Sequence, residues 1–336
     1  MAGNVKLKDI AEKMGVSIVT VSNALSGKKG VSEEVRQRIL DAAKEMGYDF
    51  RKKVEEGGKI GVVVSDRYLE VGASFYWSMY QEVVYAASKR NSFTLFEILD
   101  QEITPESRLP KLLLDNSVDG MIVIGWMDPA YMERLYQAAK VPVVLLDFHD
   151  GSMDRDAVLS DSYLGMYRMT KYLLDRGHRE IGFLGSVAAT ESIMDRYFGF
   201  RKGMEERGVP IHPEWVLEDR NLKTGDVSFF LPEKLPTAFV CNCDYTAGIL
   251  YDKLQERGLR VPEDVSVVGY DDFLYGHPFA EEITTYRVDV KKMARMAVRI
   301  LVKKMQGKAG HQGVRYVEGS VVERMSVRDI FQRLSR

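Results

Sequence analysis

Two cysteines in 336 residues, Cys241 and Cys243, are too few for a disulfide framework. A zinc site would need two further ligands at matching spacing. Sitting two apart in an apolar run, both would point to one face of a strand, and they read as buried reduced thiols. The five histidines, His149, His178, His212, His277 and His311, form no metal-spaced pair. No apolar run approaches the ~18 residues of a membrane span. No apolar stretch follows Met1, so a signal peptide is not expected and a cytoplasmic location is. The first strand candidate leads into Val-Ser-Asp-Arg rather than a glycine-rich loop, and no P-loop is present. These absences leave no catalytic residue, no metal and no cofactor to assign. They also exclude a membrane partner.

What is present is ordinary for a soluble protein of two or three domains: 45% hydrophobic and 29% charged residues. The net charge of -2 is unevenly spread. Residues 1–59 hold 12 Lys and Arg against 9 Asp and Glu, and the remainder holds 35 against 40. A basic head on an acidic body suits a nucleic-acid partner for the head alone.

Residues 1–50 predict three helices. Leu7, Ile10, Ala11 and Met14 keep helical spacing until Gly15 breaks it. Ser17 is a capping residue for a second helix with Thr20, Val21, Ala24 and Leu25. Ser32 caps a third, with Glu33 and Glu34 where the helix dipole favours acids and Val35, Ile39, Ala42, Ala43 and Met46 along one face. Gly47 ends it. A small residue at position 11, glycine in the turn and Val21 on the second helix have helix-turn-helix spacing over residues 7–25. Residues 51–59 have almost no apolar content and read as a linker with its pivot at Gly57-Gly58.

From Ile60 the pattern becomes α/β. Strands are expected at 60–64, 93–98, 120–124, 141–146, 181–184, 238–241 and 265–268, with helices at 80–89, 163–175, 197–207 and 246–255 between them. This alternation means parallel sheets covered by helices on both faces. Some 270 residues exceed one compact core, so two similar lobes are expected. Ligands bind beyond the C-terminal strand ends, which marks Ser65-Asp66, Asp147-Phe148, Gly185-Ser186 and residues 269–272.

The run from Leu7 to Tyr48, above all the Gly-Val-Ser-x-x-Thr-Val-Ser-x-x-Leu element at residues 15–25, resembles the DNA-binding head of the lactose-repressor (LacI/GalR) family. Similarity continues through Val-Asp-Gly-Met-Ile-Val-Ile-Gly, Asp-Arg-Gly-His-Arg-Glu-Ile-Gly-Phe-Leu-Gly-Ser, Asp-Arg-Tyr-Phe-Gly-Phe and Val-Val-Gly-Tyr-Asp-Asp to Val-Val-Glu-Arg-Met-Ser-Val-Arg-Asp near the C-terminus. The resemblance implies a three-helix helix-turn-helix head on a two-lobed periplasmic-binding-protein-like body. It divides the chain into a head (1–50), a linker (51–59) and a body (60–336). The first lobe would take about 60–160 and 288–318, the second about 161–287 and 319–336.

The same resemblance places Ser17 to Leu25 in the major groove. Ile18, Val19 and Asn23 would read bases, asparagine pairing with adenine and the branched side chains meeting thymine methyls. Ser17, Thr20 and Ser22 would contact phosphates or cap, and Lys8, Lys28 and Arg51 would contact phosphates. One departure stands out. The usual Pro-Asn turn and hinge leucine are missing, Gly57 falls where the leucine would be, and the segment is several residues shorter.

In the body, Asp271 matches the position that holds ligand hydroxyls and Arg196 the arginine that clamps the ligand. Phe75 matches a first-lobe aromatic, and Thr190 and Ser192 match further contacts. Position in the fold adds Asp66, Trp77, Trp126 and Asp147. His178 matches a turn position with a structural role. The usual Asn-Asp opening a second-lobe helix reads Cys243-Asp244. An aromatic that stacks on ligand in the second lobe gives way near Arg220-Asn221. The expected function is a homodimeric repressor on double-stranded, pseudo-palindromic operator DNA, controlled by a small-molecule effector, a sugar. Helices after Ser74 and Thr246 are candidates for the dimer interface. Other readings stay open: an activator, or a regulator responding to a phosphorylated sugar or nucleobase. A cytoplasmic sugar-binding protein or sugar-active enzyme with an accessory head is the rival of another class.

Overall fold

The computed structural model describes residues 5–25, 31–46, 48, 58–69, 75–151, 155–222, 225–273, 276–308 and 313–331. They fall in two compact units, Met1–Glu55 and Glu56–Arg336.

The first unit holds α1 (Leu7–Met14), α2 (Ile18–Leu25) and α3 (Glu33–Glu45). Its core is Ile10, Ala11, Val21, Ala24, Ile39 and Ala43, one stripe from each helix. α1 stops because Gly15 takes φ 64°, a left-handed conformation that costs glycine nothing. The amide of Val16 then closes on the Ala11 carbonyl at 3.1 Å, which turns the chain into α2. Ser17 Oγ accepts from the Thr20 amide at 3.0 Å and Ser32 Oγ from the Val35 amide at 3.4 Å, so both serines cap as their residue type suggests. α3 ends with Met46 as its cap; Gly47 lies outside the described residues.

The second unit contains two six-stranded sheets. The first is built from β1 (Lys59–Ser65), β2 (Phe93–Leu99), β3 (Gly120–Ile124), β4 (Val143–Leu146), β5 (Asp156–Ser160) and β11 (Val314–Val317), in the order β11-β5-β4-β3-β1-β2 and parallel throughout. The second uses β6 (Ile181–Leu184), β7 (Val216–Leu217), β8 (Ala238–Cys241), β9 (Ser266–Asp271), β10 (Thr284–Arg287) and β12 (Ser320–Val322). Its order is β12-β10-β9-β8-β6-β7, with β12 alone antiparallel. Central strands such as Gly120–Ile124, Val143–Leu146 and Ala238–Cys241 are apolar along their whole length because helices cover both faces. α4 (Phe75–Ser88), α5 (Lys111–Leu114), α6 (Pro129–Ala138) and α10 (Val290–Met305) flank the first sheet, and α7 (Ser162–Asp175), α8 (Glu191–Glu206) and α9 (Asp244–Glu256) the second.

The chain passes between the sheets three times: from β5 to α7, from β10 to α10 and from β11 to β12. Each passage is one or two residues long. α7 and α8 pack so closely that a Cβ on Gly199 would sit 2.2 Å from the Tyr163 carbonyl oxygen. Among the described residues no helix is long and apolar enough to cross a membrane.

Candidate functional site

The strand ends of the two sheets face one another across a cleft. Asp147 follows β4 from the first lobe, and Asp271 closes β9 in the second. Both adopt left-handed backbone, at φ 69° and 102°, and Asp272 follows at 52°. Non-glycine residues held this way cost roughly 1–3 kcal/mol each and gather at functional sites.

Arg196, in the second turn of α8, lies between the two carboxylates. Its Nη1 donates to the Asn242 carbonyl at 2.7 Å and its Nη2 to Asp271 Oδ1 at 3.3 Å, while its guanidinium stacks 3.9 Å above the Tyr270 ring. Burial pushes Asp271 up to about 7; Arg196 pulls it back and the charge of Asp147 adds to the rise. Burial likewise pushes Asp147 up to about 6, against Arg196 and a hydrogen bond from Tyr76. Two carboxyls and a fixed guanidinium offer acceptors and donors suited to paired hydroxyls.

The cavity between these strand ends, about 220 Å³, is lined by Phe75, Tyr76, Asp147, Thr190, Ser192, Arg196 and Asp271 together with neighbours not foreseen from sequence. Phe75 is buried on the inner side of α4, edge-on to Phe273 at 6.0 Å. Thr190 Oγ1 and Ser192 Oγ lie 3.0 Å apart, and Thr190 also caps α8 through the Ile193 amide. Trp126 lines an adjoining recess with Asp147, His149 and Thr190.

Two expected contacts are not brought to the cavity. Asp66 is exposed at the start of a short 3-10 turn, Asp66–Tyr68, which carries Arg67 and Tyr68 inward in its place. Trp77 stands two residues after Phe75, roughly 200° round the helix. It therefore faces outward, packed on Tyr80 and Phe96 at 5.3 and 5.9 Å. The cysteines also part company: Cys241 is buried at the end of β8, whereas Cys243 lies past the strand, half-buried at the cavity. Strand alternation no longer applies beyond residue 241.

Sequence reasoning missed Arg67, Tyr68, Arg220 and Asn242. Arg220 is fixed by Asp219, its Nε at 3.0 Å and Nη2 at 2.6 Å from the carboxylate oxygens. Burial would raise Asp219, but Arg220, the Ser186 amide and Asn242 outweigh it and hold the group at about 2. The signal for Arg67 and Tyr68 was available, since they directly follow a marked strand end. His178 sits at its turn, Nδ1 2.9 Å from Thr237 Oγ1 and Nε2 3.3 Å from the Arg328 carbonyl, its basicity lowered by burial to about 4.

In the head, Ile18 and Val19 are 47% and 67% exposed while Val21 and Ala24 are buried. An apolar pair on the outer face of α2 has no core to serve. Ser17 is exposed, and Thr20, Ser22 and Asn23 are half-buried on the same short helix. Lys8 is exposed and pairs with Glu12 at 3.7 Å. Lys28 and Arg51 lie outside the described residues, as do residues 51–57 of the expected linker.

Comparison with known proteins agrees with this arrangement. Residues 6–49 match the model of "Bacterial regulatory proteins, lacI family", and residues 170–327 that of the "Periplasmic binding protein-like domain". The chain is 28% identical over 336 residues to the HTH-type transcriptional repressor PurR of Vibrio cholerae serotype O1, covering 96% of this chain and 98% of that protein. Among solved structures it shares its fold with the Lac repressor dimer bound to operator and the anti-inducer ONPF (TM-score 0.65, 22% identity, 97% and 100% covered). The complex of the transcriptional regulator CelR with cellobiose has the same fold (TM-score 0.67, 23% identity, 96% and 100% covered). The chain thus joins a lacI-type regulatory head to a periplasmic-binding-protein-like body and is similar along nearly its whole length to transcriptional repressors, the make-up of a DNA-binding transcriptional repressor of the LacI type.

Proposed function

We propose that the chain works in the cytoplasm as a homodimer. Residues 1–50 read operator half-sites, 51–59 link, and 60–336 bind a polyhydroxylated effector, a sugar, between two lobes. The observation that carries this reading is the meeting of Asp147 from one lobe, Asp271 from the other and Arg196 between them in one cavity. A ligand bridging these groups favours one lobe arrangement over another, and it shifts the equilibrium only by that difference in affinity. The cellobiose held by CelR supports a carbohydrate class for a body of this fold.

In the head, Ile18, Val19 and Asn23 meet base edges; Ser17, Thr20, Ser22, Lys8, Lys28 and Arg51 face phosphates. Two heads on half-sites about 10 bp apart require a dimer. The outward face of α4, with Trp77, and that of α9 supply its interface. The test is a full-length Asp271→Ala protein on an operator fragment selected from genomic DNA by the wild type. It binds the fragment without effector and no longer responds to an effector that moves the wild type. A normal response would remove the cleft from the reading.

A further inference from the structure

The cleft differs in character from end to end. The acids Glu191 and Asp195 line the recess by Trp126. At the other end stand Arg67 of the first lobe and Arg220 of the second, both lining the cleft cavity. Arg67 Nη2 lies 3.6 Å from where a Cβ on Gly225 would be, so its guanidinium reaches the second-lobe loop that Arg220 opens. Among the described residues no carboxylate pairs with Arg67; its one ring contact is Tyr68, at 5.5 Å. Arg220 spends Nε and Nη2 on Asp219 and Asn242, which fixes the plane of the group. Its Nη1 has no acceptor among the described residues and is not enclosed by protein.

We propose that the effector is an acidic sugar, carrying a phosphate or a carboxylate, and that Arg67 and Arg220 hold that group from opposite lobes. The inference rests on the cleft being the effector site, and it narrows the ligand class. Four features support it. Arg220 lines the cavity wall, so the chemistry there is a fork of donors rather than an apolar face. Its orientation is already fixed by a buried carboxylate, which lowers the entropy lost on binding an anion. Arg67 comes from the other lobe, so an anion between the two draws the lobes together. The remaining carboxyls beside Arg196, raised to about 6 and about 7, oppose an incoming negative charge less than ordinary aspartates would.

The experiment is isothermal titration calorimetry on the full-length protein. The probes are glucose 6-phosphate, glucuronate, glucose and inorganic phosphate, with the corresponding galactose and fructose compounds. Wild type should bind an acidic sugar more than about tenfold tighter than its neutral parent, and free phosphate weakly. Phosphate ester or uronate as the better partner tells which anion is meant. Arg67→Gln and Arg220→Gln should each cost about tenfold or more toward the acidic sugar and leave the neutral parent nearly unchanged. Arg67→Gln strands no buried carboxylate, and Arg220→Lys keeps a cation beside Asp219, so these two serve if Arg220→Gln does not fold. Equal affinity for acidic and neutral sugars, or acidic binding untouched by Arg67→Gln and Arg220→Lys, overturns the inference. Asp271→Asn separates the two levels. If it abolishes binding of a neutral sugar that wild type binds as well as its acidic form, the cleft reading stands and the acidic class falls. Binding that survives Asp271→Asn and both arginine variants, or no binding by any probe, overturns both.

Discussion

Arg196 and Asp271 meet at 3.3 Å with each side chain more than nine-tenths buried, and Asp271 is nonetheless pushed up to about 7. Desolvation outweighs the ion pair, as it does when a charge is withdrawn from water without full compensation. In the unfolded chain the group ionises near its ordinary 3.8; in the folded one it does so only near 7. Its contribution to stability is therefore present at acid pH and lost as pH rises through that window. Asp271→Asn removes this titration while keeping an acceptor for Arg196. The variant should be more thermostable than ligand-free wild type at pH 8, by up to about 4 kcal/mol, with the gap narrowing to less than half at pH 5 and closing only as pH falls below 3.8. Scanning calorimetry at both values checks it, and a gap independent of pH would remove Asp271 as its source.

The recognition helix gives the second prediction. Ile18 and Val19 project from α2 while Val21 and Ala24 fill the core. Asn23→Ala should weaken operator binding by roughly 1–3 kcal/mol and leave affinity for unrelated DNA nearly intact. Equal losses on both DNAs, measured by fluorescence anisotropy at fixed salt, would place Asn23 on the backbone instead.

Much of this was legible in the sequence, and the reasons for the misses are physical. Long apolar runs such as Gly120–Ile124 announce buried parallel strands, and Asp147 and Asp271 follow from the rule about strand ends. Val216–Leu217 and Ser320–Val322 are too short for a period to show, and Asp156–Ser160, Thr284–Arg287 and Val314–Val317 carry polar or charged residues that interrupt an apolar run. α8 starts at Glu191 rather than near Tyr197 because Thr190 caps it, a signal hidden by the polar residues of its first turns. Trp77 was misplaced because a run of aromatics does not reveal helical phase. Arg220 was missed because its role depends on Asp219, whose burial only the fold discloses.

α7 and α8 touch backbone to backbone at Gly199, where a Cβ would also meet the Tyr167 amide at 2.9 Å. Both neighbours are backbone atoms, so the helices must separate to admit a methyl. Gly199→Ala should destabilise the body by about 2–3 kcal/mol. Urea unfolding with an unchanged m-value checks this, and wild-type stability would mean that α7 and α8 approach less closely.

The outer face of the first lobe yields the last prediction. Among the described residues β2 is an edge strand, paired only with β1, and it exposes 74% of Phe93 and 47% of Ile98, on the same lobe as the 41% exposed Trp77. An apolar edge of this kind invites strand pairing and aggregation unless something covers it. In the proposed dimer the second copy does so. Phe93→Lys with Trp77→Ser should leave the fold intact, because neither residue belongs to the core. The double variant should sediment as a monomer at micromolar concentration where wild type sediments as a dimer. It should also lose the advantage of two heads on one operator and bind a full site little better than a half-site. A variant that remains dimeric in analytical ultracentrifugation would move the interface to α9 and leave the apolar edge of β2 to another role.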